Sequence, residues 1–82
     1  MKTMHKPTNA NEQRIYEVAL ETVGGVENSI ADGMWEGDSP THETLVSMAL
    51  DDVFVENPRE VRFVGKERAT ELCEAAADTF MF

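Results

Sequence analysis

Lysine and arginine are what this 82-residue chain most lacks: there are seven in all, and none between Ile15 and Pro58. Sixteen Asp and Glu stand against them, for a net charge of −9. A surface of that sign repels phosphate backbones and anionic lipid, which argues against direct binding of nucleic acid or membrane surfaces. Cysteine is nearly as scarce. Cys73 alone cannot form an intrachain disulfide, and a secreted domain of this size ordinarily needs several, so the expected setting is a reducing, cytoplasmic one. No apolar run approaches the roughly 20 residues that span a bilayer, and Met1 to Thr8 carries Lys2 and Lys6 without the apolar stretch of an export signal.

Aromatic residues are also few: Tyr16, Trp35, Phe54, Phe63, Phe80 and Phe82. At this length one core is the most that can form, burying about 60 to 65% of the unfolded surface. Hydrophobic residues make up 41% and charged residues 28% of the chain, a globular composition and not a disordered one.

The pattern within that composition is mainly helical. Residues 1–8, with Pro7 and no periodicity, read as a loose tail, and residues 9–82 as one compact helical domain of three to four helices. Thr8 or Asn9 offers an N-cap, with Glu12 in the first turn. Ile15, Val18, Ala19, Thr22, Val23, Val26, Ile30 and Met34 then recur every three or four residues. Gly24-Gly25 interrupts this stripe and predicts a break or kink, since each glycine costs about 1 kcal/mol relative to alanine. Ser39-Pro40 reads as a cap followed by proline at the first position of a second helix. Leu45, Val46, Ala49, Leu50 and Val53 lie on one face of that helix. Residues 52–56 and 61–64 are β-branched and aromatic around Asn57-Pro58, which leaves this stretch open between a short β-hairpin and a loop. Lys66 to Phe80 is the clearest helix. Ala69, Leu72, Cys73, Ala76, Ala77 and Phe80 share one side, while Glu67, Glu71, Glu74 and Asp78 fall within about 60° of arc opposite.

Asp52-Val53-Phe54-Val55-Glu56-Asn57-Pro58, followed by Phe63-Val64-Gly65-Lys66-Glu67-Arg68-Ala69, resembles a segment of the nuclear-transport-factor-2-like and SnoaL-like cone folds. The likeness covers under a quarter of the chain. Those folds continue into several long strands that build a pocket, and residues up to Phe82 supply none. The resemblance therefore assigns neither a family nor a site residue.

No set of side chains converges as catalysis requires. Cys73 sits inside an apolar stripe, where thiols act as small hydrophobes, and not beside a histidine that could activate it. His5, His42 and Cys73 are scattered singly, unlike the paired ligands of a zinc site, and His42 is expected as a packing residue near a helix start. Asp51 and Asp52 are adjacent and point about 100° apart on a helix. Gly65-Lys66 before a helix lacks the glycine-rich loop of a phosphate site, so Arg62, Lys66 and Arg68 are expected to offset the chain's own acidic segment across the fold. No catalytic residue, metal or cofactor is expected.

The expected function is that of a small, non-enzymatic acidic protein that docks on a basic protein surface, such as that of a nucleic-acid-handling complex. It would act by charge mimicry or steric block, as small phage and mobile-element inhibitors of the anti-CRISPR and anti-restriction kind do; the analogy is one of size and charge. The candidate contact residues are Glu67, Glu71, Glu74, Asp78, Asp51, Asp52, Glu36, Asp38 and Trp35. A second reading, a homodimer or accessory subunit, buries Trp35 and the apolar end Phe80-Met81-Phe82 against another chain.

Overall fold

A computed structural model describes residues 6–80 and forms them into four helices. These are α1 (Ala10–Ala31), α2 (His42–Glu56), α3 (Pro58–Val64) and α4 (Lys66–Ala77), and no strand occurs among the described residues. Met1 to His5, most of the expected tail, and Met81-Phe82 of the apolar end lie outside them.

Capping sets the start of α1. Asn9 is the N-cap, and its side-chain oxygen accepts the Glu12 N–H at 2.9 Å. Glu12 in turn reaches back to the Thr8 N–H and hydroxyl, each at 3.0 Å, a reciprocal pattern that satisfies donors left open in the first turn. From there α1 runs unbroken through Gly24-Gly25, against the expected interruption. Ile15, Ala19, Val23 and Val26 on either side of the pair stay buried, and burial of that stripe outweighs the glycines' cost. The helix stops at Gly33, whose φ of +76° is open to glycine. The Gly33 N–H bonds the Ile30 carbonyl and the Met34 N–H the Ser29 carbonyl, closing the last turn. Met34, predicted as the last residue of the stripe, therefore lies past the helix end and is 76% exposed.

The second helix begins two residues later than Ser39-Pro40 predicts. Thr41 is the cap, its hydroxyl accepting the Thr44 N–H at 3.1 Å, while Pro40 is buried ahead of it. The hairpin or loop expected at 52–56 and 61–64 is replaced by the end of α2 and all of α3. Leu45, Ala49 and Val53 are each fully buried and repeat at four residues, so the helical face carries straight through the β-branched run. A strand would have put Val53 and Val55 on one side, yet Val55 is 76% exposed. Packing thus overrides β-propensity. Pro58 stands at the first position of α3, where its missing N–H costs nothing, and the Asn57 side chain ties the α2–α3 junction to the Arg14 carbonyl of α1. Gly65, at φ +89° and ψ +153°, redirects the chain into α4 through backbone geometry that residues with a Cβ rarely adopt.

All four helices feed one cluster of buried apolar side chains, and α1 packs against each of the other three. The predicted inner face of the last helix, Ala69, Leu72, Cys73, Ala76 and Ala77, is completely buried, and Phe80 follows at 8% exposure.

Candidate functional site

The outer face of α4 differs from four parallel carboxylates. Glu67 and Asp78 are exposed, while Glu71 and Glu74 are half-buried. Glu71 accepts from Arg68 at 2.8 Å, and Asp78 accepts from His42 Nε2 at 2.8 Å. His42, expected as a packing residue, is half-buried and joins the start of α2 to the end of α4 by this bond.

Glu74 is the junction of two depressions. One is an open groove of about 410 Å3 between α2 and α4, lined by His42, Glu43, Val46, Ser47, Leu50 and Glu74. The other, about 430 Å3, runs along α4 and is lined by Lys66, Glu67, Thr70, Glu71 and Glu74. Glu43, Glu74, Glu71 and Glu67 thereby form a continuous acidic band across two helices. At its α2 edge the band borders Val46 and Leu50, which are half-buried and rest against the core. Phe54, 39% exposed, continues that apolar line one turn further along α2.

The other sequence candidates lie elsewhere. Asp52 faces α1: it accepts the Thr22 hydroxyl at 2.5 Å and lines a third depression with Val18, Glu21 and Glu56. Asp51 is exposed on α2, and Glu36 and Asp38 are exposed in the α1–α2 loop. Trp35 is half-buried against the core, and its indole N–H donates to the Asp38 carbonyl at 2.9 Å, which locks it into the loop as a lid.

Among the described residues, Arg68 and Arg14 are paired with acids of the same chain. Arg68 bridges Glu12 at 2.9 Å, Glu71 at 2.8 Å and the Lys6 carbonyl at 2.8 Å. Its guanidinium, with the Thr8 donors, holds the Glu12 carboxyl down at about 2 despite burial. Arg14 lies 3.9 Å from Glu60, and Arg59, Arg62 and Lys66 are exposed around α3 and the head of α4. Arg68, expected to offset the acidic segment between Ile15 and Pro58, instead has Glu12 and Glu71 as partners, and both lie outside it.

Burial pushes the Cys73 thiol up to about 12, with Glu74 adding to the effect. A thiol so placed has almost no thiolate at neutral pH. A disulfide reagent at pH 8 should leave Cys73 unmodified in the folded protein and react fully once denaturant opens it. Stoichiometric labelling of the native protein within minutes would contradict this placement. Among the described residues no group of three or more His, Cys, Asp or Glu could hold a metal ion. No described helix is long and apolar enough to cross a membrane.

No family model matches this chain, and no curated protein or solved structure matches it. Sequence reasoning missed Glu43, which belongs to the band, and Glu12, which anchors Arg68. The spacing of Glu43, Val46 and Leu50, three and then four residues apart, marks one helix edge and could have revealed the groove. Nothing local in the sequence pairs Glu12 with a residue 56 positions later.

Proposed function

We propose that this chain is a non-enzymatic binding protein whose acidic band docks on a basic protein surface and competes there with nucleic acid. The observation that carries this reading is the continuity of Glu43, Glu74, Glu71 and Glu67 across α2 and α4, bordered by Val46 and Leu50. Carboxylates alone attract any cation at long range, whereas carboxylates beside an apolar line select a basic surface that also offers apolar side chains. The large negative net charge raises the rate of encounter with such a partner and opposes the approach of duplex DNA or RNA.

A labelled helical peptide with Arg and Leu alternating at i and i+4 is a suitable probe, followed by fluorescence anisotropy. Glu67→Lys with Glu74→Lys should weaken its binding by about tenfold or more, and binding should weaken as salt rises to 0.15 M, where the Debye length is about 8 Å. Glu17→Lys with Glu21→Lys makes the same change of net charge on the exposed side of α1 and should have a much smaller effect. Equal losses from both pairs would mean that total charge, and not the band, recruits the peptide.

A further inference from the structure

Only seven residues long, α3 carries two exposed arginines on its outer side. Arg59, Arg62 and Phe63 are exposed and follow at i, i+3 and i+4, so they form one ridge. Phe63 is 74% exposed, although Val61 beside it is buried in the core. The ridge is thus a basic and aromatic surface on a molecule whose α2–α4 groove is acidic and apolar. It cannot reach that groove in its own molecule, because Val61, the Arg14–Glu60 contact and the Asn57 bond to the Arg14 carbonyl hold α3 against α1 with the ridge turned outward.

We infer that a second copy of this chain occupies the groove, presenting its α3 ridge so that Phe63 rests on Val46 and Leu50 while Arg59 and Arg62 meet Glu43 and Glu74. This rests on the reading of the acidic band as a receptor for basic, apolar surfaces and names one such surface. Two different patches meet, so the contact is head-to-tail and each added copy leaves one groove and one ridge open. A seven-residue helix is about 10 Å long, and its face buries less than the roughly 1,200 Å2 typical of stable complexes, which makes the association weak and reversible. The net charge of −9 on each copy opposes approach, so association requires enough salt to screen distant charges while close pairs persist.

Sedimentation velocity at 0.15 M salt, from about 10 µM to 1 mM, tests it across the range of weak affinities. The wild type should sediment faster as concentration rises. A ridge variant, Arg59→Glu with Arg62→Glu, and a groove variant, Glu43→Lys with Glu74→Lys, should each remain monomeric with unchanged helical signal. Mixed together, they should associate again, because the ridge variant keeps its groove, the groove variant keeps its ridge, and the two reversed patches are themselves opposite in charge. Phe63→Ala, at an exposed site, should also weaken association of the wild type and serves if either charge variant fails to fold. A wild type that stays monomeric at 1 mM overturns the inference, and so does a mixture that remains monomeric. The ridge variant should still bind the Arg-Leu peptide. Retention of peptide binding without self-association would leave the band as receptor and remove only the second copy as its occupant.

Discussion

Replacing Arg68 with Met should lower the free energy of unfolding by about 2 to 4 kcal/mol at pH 7, a large fraction of what a domain of this size holds. The guanidinium is the charged partner of a carboxylate whose side chain is only 10% exposed, and it also caps the Lys6 carbonyl. Removing it leaves the Glu12 charge with the Thr8 donors alone in a poorly solvated place. Glu12→Gln in the same protein should recover part of the loss, since a neutral amide no longer needs a counterion. Acid should act on the same pair. Glu12 is held at about 2 against an ordinary value of 4.5, so between those values the unfolded chain takes up a proton that the folded chain refuses. The pair's contribution is complete above about pH 4.5 and lost as pH falls toward 2, by roughly 2 kcal/mol. Urea denaturation followed by circular dichroism at pH 7, 4.5 and 3 reads both effects. An Arg68→Met protein within 0.5 kcal/mol of wild type at pH 7 would remove the pair from any part in stability.

Leu72→Ala should cost about 2 to 5 kcal/mol, from lost transfer energy and the cavity left behind. Leu72 is fully buried on α4, the helix that packs against both α1 and α2, so the space cannot be filled by a shift of one loop. For a domain of this size each kcal/mol moves the melting temperature by roughly 4 to 8 °C, so a fall of 8 °C or more is expected. Met34→Ala gives the contrast. Its side chain is 76% exposed beyond the end of α1, and the melting temperature should stay within about 2 °C of wild type. A large loss there would mean that Met34 packs as the helical periodicity predicts.

The helices were legible where one face repeats without rivals. In α4 the alternation of Leu72, Cys73, Ala76 and Ala77 with Glu67, Glu71 and Glu74 left no second interpretation, and the helix and its buried face follow it, although Glu71 and Glu74 are only partly exposed. Residues 52–64 read as a hairpin or a loop because Val53, Phe54 and Val55 favour strands locally, whereas their helical conformation is decided by Val53 completing the Leu45–Ala49 face against α1 and α4. Gly24-Gly25 misled for the same reason: a local cost was weighed without the burial on either side. The candidate surface was legible only as a list of acids. Which of them are engaged within the molecule depends on their partners: Asp52 on Thr22, Asp78 on His42, and Glu71 on an Arg68 already committed to Glu12. Trp35, between two glycines, reads from the sequence as either a core lid or an interface anchor, and its packing on the core and its bond to the Asp38 carbonyl fit the lid.

The clasp of Arg68 on Glu12 and Lys6 ties the first turn of the first helix to the third residue of the last. A chain that ends anywhere before Arg68 has made Glu12 without its counterion and the α1 stripe without Leu72 and Phe80 to cover it. Such a product resembles an unfinished polypeptide, open to proteases along α1. The four-helix fold therefore closes only once Arg68 is in place, because the Glu12 carboxylate waits on a residue 56 positions later.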